Sequence, residues 1–416
     1  MYLMRLFLKS FFLFFLVSCE SEIPAQENQM NQQKENVAVK LEKPIVVGAE
    51  QLDSIQLFLQ SKKVGVVGNQ TSRVGETHLV DTLLSSGINV VKVYSPEHGF
   101  RGKADAGEHV ASDKDAKTGL PIVSLYGSNK KPSANQLSGV EVLLFDLQDV
   151  GARFYTYIST LHYIMEAAAE NGIEVLVLDR PNPNGHYVDG PIRKKGYESF
   201  VGMHPIPIVH GMTVGEIAQM INGEKWLKNG VQCKLKVISC LNYDRHMPYS
   251  LPVAPSPNLR SDEAIQLYPG LCLFEGTSLS VGRGTDRPFE VYGHPDLKGK
   301  PGFDYNFTPV SSFGSKNPKH KDQVCYGENL HDYVRNSKVN KLEIQWLIKA
   351  YNALGSEDFF ITKNRWFDIL AGTDQLRKDI ISGKSEAEIR AGWKAGLDVF
   401  KTMRKEYLIY GGGNLK

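Results

Sequence analysis

Five short strings of amides, hydroxyls, carboxylates and guanidinium groups stand out along the first half of the chain. They are Asn69-Gln70-Thr71-Ser72, Ser95-Pro96-Glu97-His98-Gly99-Phe100-Arg101-Gly102, Tyr126-Gly127-Ser128-Asn129, the run from Asp146 to Tyr157, and Asp179-Arg180-Pro181-Asn182-Pro183-Asn184-Gly185. Gathered in one crevice, such groups can hydrogen-bond a ligand rich in hydroxyls. Asn, Asp, Gly and Pro are also ordinary turn residues, which accounts for Asn182-Pro183-Asn184-Gly185. Turn chemistry does not account for Glu97, Arg101, Gln148, Arg153 or the Tyr155 and Tyr157 pair, and these predict a functional crevice.

What would gather them is a repeat of strand, loop and helix. Apolar β-rich runs occur at Val64–Gly68, Asn89–Tyr94, Pro121–Tyr126, Val140–Leu147 and Ile173–Leu178, with helix-like segments at about His78–Ser86, Ile158–Asn171 and Thr213–Asn222. Continuous apolar strands separated by helices predict an α/β fold, a Rossmann-like parallel sheet with helices on both faces. Thr213 and Glu216 stand at capping-box spacing. Right-handed crossovers put every strand's C-terminal end on one edge, and open α/β sheets bind ligands outside that edge. Each polar string directly follows a strand.

Several functions are excluded or left without support. The string after the first strand, Gly68-Asn69-Gln70-Thr71-Ser72, is not G-x-G-x-x-G, and no G-x-x-x-x-G-K-[ST] occurs. Val281-Gly282-Arg283-Gly284-Thr285 is rich in glycine but does not stand in a strand-to-helix turn. No NAD or ATP site is expected, and no cofactor is assigned. His98 and His210 lack further partners at metal spacing, so no metal is assigned either. With 48 Lys+Arg against 46 Asp+Glu, the chain lacks the global basic balance of a nucleic-acid binder.

The N-terminus reads differently from the rest. MYLMRLFLKSFFLFFLVSC carries Arg5 and Lys9 before a short apolar run, the pattern of a secretory signal over residues 1–18. Leu16-Val17-Ser18-Cys19 resembles a bacterial lipobox, which makes Cys19 the expected lipidation site. Cleavage there removes two basic and no acidic residues, so 48 falls to 46 and the remaining chain is formally neutral. Residues 19–44, rich in Gln, Asn, Glu and Lys, read as a flexible tether spanning roughly 25–30 Å. The expected location is the cell envelope, lipid-anchored, at the outer membrane facing the periplasm. The other four cysteines, Cys233, Cys240, Cys272 and Cys325, are expected as buried free thiols. A Cys233–Cys240 disulfide would have to span what reads as one continuous strand.

Beyond the strand at Cys233–Cys240 comes a Pro-rich loop, a helical segment to Tyr268, and the string from Phe274 to Glu290. Short strands and Gly/Pro/Lys-rich loops follow to about Leu330. Helices are expected at about Leu342–Leu354 and Glu386–Arg404. The expected division is a Rossmann-like domain over 45–285 and a smaller α+β C-terminal domain over 286–416.

The strings GVVGNQTS, SPEHGFRG, DLQDVGARFYTY, LDRPNPNG, PIPIVHGMTVGE, PSPNL, FEGTSLSVGRGTDRPFE and FDILAGT, in this order, resemble the exo-β-N-acetylmuramidase (NamZ) family of peptidoglycan glycosidases, long known only as a domain of unknown function. The likeness covers the chain from about residue 45 onward. It implies a hydrolase of cell-wall recycling that releases N-acetylmuramic acid from the non-reducing ends of peptidoglycan fragments. It implies an active site between the two domains and makes Glu97 the expected catalytic carboxylate. On these motifs the candidate substrate-binding residues are Asn69, His98, Arg101, Asp146, Gln148, Arg153, Tyr155, Tyr157, Asp179, Arg180, Asn182, Asn258, Glu275, Thr277 and Arg283.

The residue types suit that chemistry. Glycoside cleavage needs a carboxylic acid for the leaving oxygen, with either a second carboxylate or the substrate's acetamido group at the oxocarbenium-like centre. Asp146, Asp149, Asp179, Glu275 and Glu290 are the candidates for a second carboxylate; a substrate-assisted route and an elimination using Glu97 partly as base remain open. The lactyl carboxylate of muramic acid calls for a guanidinium, and Arg101, Arg153, Arg180, Arg283 and Arg287 stand in or beside the motifs. A non-catalytic lipoprotein that captures glycan or muropeptide fragments would use the same crevice and is the alternative.

Overall fold

In the computed structural model, which describes residues 43–97, 99–102, 113–355 and 358–411, six strands form a parallel sheet. They are β1 (Val64–Gly68), β2 (Val90–Ser95), β3 (Pro121–Ser124), β4 (Val142–Asp146), β5 (Glu174–Leu178) and β6 (Lys234–Ile238), lying in the order β3-β2-β1-β4-β5-β6. A two-residue strand, Asp113–Lys114, adds antiparallel to β3 at the edge. The order runs outward in both directions from β1 and β4, the doubly wound arrangement whose ligand crevice opens at the carboxyl ends of that central pair. The signal segment, Cys19, the tether up to residue 42 and His98 lie outside the described residues.

Alternation along the strands divides the core into two layers. Val64 and Val66, Val142 and Leu144, and Leu176 and Leu178 pack with Ile55, Leu59, Leu79 and Leu83, from α1 (Leu52–Leu59) and α2 (Leu79–Ser85). Their neighbours Val67, Leu143, Phe145, Val175 and Val177 face the other way, onto Ile158, Leu161 and Met165 of α3 (Tyr157–Asn171) and Ile217 and Ile221 of α4 (Val214–Gly223). Burial on both faces is why these strands are apolar throughout. Edge strand β6 instead alternates, with Lys234 exposed, and charge on an edge discourages unwanted pairing.

The expected capping box forms. Thr213 Oγ1 accepts from Glu216 N at 3.3 Å, and Glu216 Oε2 accepts from Thr213 N at 2.9 Å. All four cysteines from Cys233 to Cys325 are free and buried. Among the described residues no helix is long and apolar enough to cross a membrane.

The second half builds a three-stranded antiparallel sheet, β7 (Val291–His294), β8 (Tyr305–Phe307) and the central β9 (Cys325–Asn329), among short helices. These are α5 (Asp262–Leu271), α6 (His331–Asn336), α7 (Gln345–Leu354), α8 (Trp366–Ala371), α9 (Gln375–Ile381), α10 (Glu386–Ala391) and α11 (Lys394–Met403). From Ile45 onward all of this is one compact unit. Two boundaries differ from expectation. Helix α7 starts at Gln345 rather than Leu342, because Leu342 N donates to Asp189 Oδ2 at 2.7 Å and Leu342 O accepts from Arg390 at 2.6 Å. The single helix expected over Glu386–Arg404 is broken at Gly392-Trp393, where glycine weakens the helix and the indole of Trp393 turns inward.

Candidate active site

The loops after β2, β3 and β4 converge with the α5 region on a cavity of about 360 Å³. Glu97 lies two residues past β2 and hydrogen-bonds the hydroxyl of Tyr126, two residues past β3. Burial, then the Glu97 carboxylate, pushes the Tyr126 phenol up to about 12. The floor is aromatic and buried, formed by Tyr155, Tyr157, Tyr268 and Phe289. Tyr155 and Tyr157 meet edge to face at 4.9 Å, and Tyr155 donates to Pro255 O at 2.8 Å.

Asn69, at the tip of β1, fixes the second tyrosine. Its Oδ1 accepts from Thr71 N at 2.9 Å and Thr71 Oγ1 at 2.7 Å, which leaves Nδ2 to donate to Tyr157 OH at 2.7 Å. Asn69 therefore acts on the cavity through Tyr157.

The opposite wall comes from the 3₁₀ turn Cys272–Gly276, which continues α5, and the glycine-rich string after it. Arg283 Nε donates to Glu275 Oε1 at 2.6 Å, and the guanidinium carbon lies 4.9 Å from the Phe289 ring centroid. Burial is the largest influence and by itself would raise the Glu275 pKa, but the charge and hydrogen bond of Arg283, together with Lys319 and Cys272, outweigh it and hold the carboxyl below its ordinary value. Lys319 was not anticipated. Its ammonium caps the carbonyls of Phe274, Glu275 and Thr277, and burial pushes its pKa down to about 8. It lies in a Lys-rich loop, where composition does not separate a buried ammonium from a solvated one.

Of the expected contact residues, Glu97, Tyr155, Tyr157, Glu275 and Arg283 line this cavity together. The other described ones do not line it and brace the loops around it. Arg101 forms a fork with Asp115, both bonds 2.7 Å, and reaches Asp81 at 3.1 Å. Hydrogen bonding to Arg101 holds the Asp115 carboxyl far below its ordinary value. Arg153 is fully buried and donates to the carbonyls of Pro191, Ile206 and Leu370. Arg180 is paired with Asp146 at 2.6 and 2.9 Å. Asp179 accepts from Thr213, Gly215 and Tyr410. Gln148 donates to the carbonyls of Asp149 and Pro181, Asn182 to that of Met212, Asn258 to that of Gly314, and Thr277 to that of Phe274.

The remaining carboxylate candidates are engaged as well. Glu290 accepts from Ser261 Oγ at 2.5 Å and meets His331 Nδ1 at 2.6 Å, and Asp149 Oδ2 accepts from Gly151 N at 2.7 Å. His210 is buried, with Nδ1 accepting from Met212 N. A second cavity, of about 470 Å³, is lined by Asp262, Ile265 and Gln266 in the first half of α5 together with His186 and Arg335. From the five strand-tip strings it takes only Pro183, so the first cavity is the candidate site.

Family models described as the N-terminal and C-terminal parts of the exo-beta-N-acetylmuramidase NamZ match residues 64–263 and 266–410. The chain belongs to the NamZ family. A peptidoglycan beta-N-acetylmuramidase NamZ from Bacillus subtilis (strain 168) is 39% identical over 380 residues, covering 85% of this chain and 88% of that protein. Two crystal structures of DUF1343 family proteins from Bacteroides fragilis NCTC 9343 share the fold. One has TM-score 0.81 and 47% identity over 89% of this chain and all of the other. The second has TM-score 0.75 and 30% identity, over 88% and 99%. Membership bears out the resemblance drawn from the motifs and places the chain among glycoside hydrolases. Within the NamZ frame, the N-terminal match supplies Glu97, Tyr126, Tyr155 and Tyr157, and the C-terminal match supplies Tyr268, Glu275, Arg283 and Phe289.

Proposed function

We propose that this protein is an exo-acting glycosidase that releases N-acetylmuramic acid from the non-reducing ends of peptidoglycan fragments, with Glu97 protonating the leaving oxygen. The observation that carries the reading is the placing of Glu97 and the Glu275-braced Arg283 on one small cavity with an aromatic floor. At about 360 Å³ the cavity is at the small end of the roughly 300–1,000 Å³ of ligand sites, which suits a terminal sugar unit better than a mid-chain stretch. Arg283 is the receptor for the lactyl carboxylate. Glu275, the second carboxylate on the cavity, is committed to Arg283, which favours a route in which the substrate's own acetamido group stabilises the oxocarbenium-like centre.

Turnover of a para-nitrophenyl N-acetylmuramide and of a muramyl disaccharide tests this reading. Glu97→Gln is expected to lower kcat by about 10²–10⁴-fold, the usual worth of a positioned general acid, while sugar binding persists. Undiminished turnover in that variant would remove Glu97 from the role. Binding without turnover in the wild-type protein would favour capture of fragments over cleavage.

A further inference from the structure

Trp366 is the one exposed large hydrophobic side chain, among the described residues, that lines the cavity containing Glu97. It is 37% exposed, whereas Trp346 and Trp393 are buried. The backbone that delivers it is strained. Asn364 (φ 62°) and Arg365 (φ 55°) are consecutive non-glycine residues in the left-handed region, which side chains with a Cβ rarely adopt. Strain of this kind persists where surrounding contacts over-determine it, and it clusters at functional sites.

Those contacts are present. The Arg365 guanidinium carbon sits 4.5 Å from the Tyr197 ring centroid, and Phe367 packs edge-on to Phe360 at 4.6 Å. Asp368 takes a two-point bond from Arg377, both distances 2.9 Å, and Leu370 O accepts from Arg153. Helix α8 is thus pinned along its length while its first residue turns an indole to the partly exposed mouth. Tyr155, Tyr157 and Tyr268 line the same cavity and are buried, so the partly exposed indole marks its solvent-facing side, the side by which a released sugar leaves.

We propose that Trp366 is the platform for the pyranose on the leaving-group side of the scissile bond, setting preference for a hexosamine aglycone. The apolar C–H face of that ring stacks on the indole while its hydroxyls stay hydrated, the pairing of apolar body and polar rim that suits Trp at such sites. The inference rests on the glycosidase reading above and adds an aglycone-recognition residue to it.

The test uses the purified protein with Trp366→Ala and Trp366→Phe, the disaccharide of N-acetylmuramic acid β-linked to N-acetylglucosamine, and each free sugar. In Trp366→Ala, kcat/KM for the disaccharide is expected to fall at least about tenfold, roughly 1.4 kcal/mol, whereas Trp366→Phe stays within about threefold. Inhibition by free N-acetylmuramic acid should be unchanged. N-acetylglucosamine should alter tryptophan fluorescence in the wild type and not in Trp366→Phe. Disaccharide turnover unaffected by Trp366→Ala overturns the proposal, and so does inhibition by N-acetylmuramic acid weakening in step with turnover. Should no muramide be turned over by the wild type, the glycosidase reading fails by itself, and the fluorescence titration still decides whether this indole meets the sugar.

Discussion

Arg283 differs from the other motif arginines in what is left over once its internal bonds are made. Arg101, Arg153 and Arg180 use their guanidinium groups on carboxylates or buried carbonyls, as loops at the edge of a parallel sheet need. Among the described residues Arg283 bonds through its Nε alone, to Glu275, and rests its face on Phe289. On the proposed reading its two Nη groups serve a carboxylate that arrives with the substrate. Arg283→Lys keeps a positive charge for Glu275 but loses the two-point fork. We expect it to lower kcat/KM for a muramide with a free lactyl carboxylate by about 10- to 100-fold, the equivalent of roughly 1.5–3 kcal/mol of charge-assisted bonding. A muramide whose lactyl group is an amide should lose much less. Parallel kinetics on the two substrates checks this, and equal losses would return Arg283 to a purely structural role. All five arginines stand in similar strings, so residue type alone could not separate the presented guanidinium from the bracing ones.

At the scale of elements, the parallel sheet was legible because strands buried on both faces are apolar along their whole length, as in the wholly buried Val64–Gly68. The rule that ligands lie past their carboxyl ends then led to Glu97, Tyr155 and Tyr157. Helices α1 and α8 were not anticipated. In α1 only Ile55 and Leu59 are buried while Leu57 is 79% exposed, and α8 has six residues, too few to show a helical period. Yet α8 closes the cavity, and its place is set by Gly276. A Cβ on Gly276 would come within 2.5 Å of Phe367 Cα and 2.9 Å of Phe367 N, backbone atoms that cannot rotate away. Gly276→Ala is therefore expected to destabilise the fold by about 1–3 kcal/mol or more through overpacking alone. It should also depress disaccharide turnover by moving Trp366. Gly299→Ala is the control, since there φ is +71° and nothing lies within 4 Å, so only backbone strain is added. Urea unfolding midpoints and disaccharide kinetics compare the two. A Gly276→Ala protein as active and stable as the wild type would show that α8 is not held by this contact.

Across the whole molecule, the two ends of the folded unit meet at one buried residue, Asp179. Gly48 N donates to its backbone carbonyl at 2.9 Å, and Tyr410 OH donates to its carboxylate Oδ2 at 2.6 Å while accepting from Cys240 N at 2.7 Å. Glu216, the capping-box residue, accepts from Ile409 N and Tyr410 N and pairs with Arg245 at 2.8 Å. Burial raises the Asp179 pKa to about 6, partly offset by the bonds from Tyr410 and Thr213. Between about pH 4 and 6 the unfolded chain gives up this proton before the folded one does. The contribution of Asp179 to stability is thus complete below about pH 4 and is lost as pH rises through 6. Asp81 and Asp115 act in the opposite sense: Arg101 lowers their pKa values, so their contribution is present above the ordinary carboxylate range and is lost as pH falls below it. Tyr410→Phe removes a bond that favours the charged form of Asp179, so its pKa should rise further and the loss should extend toward neutrality. The variant is expected to be less stable by about 1–3 kcal/mol at pH 8, with a smaller deficit at pH 5, where Asp179 keeps its proton. Urea midpoints at the two pH values measure the gap; a deficit that stays constant would mean that Tyr410 anchors the C-terminal segment by packing, with no share in holding the charge of Asp179.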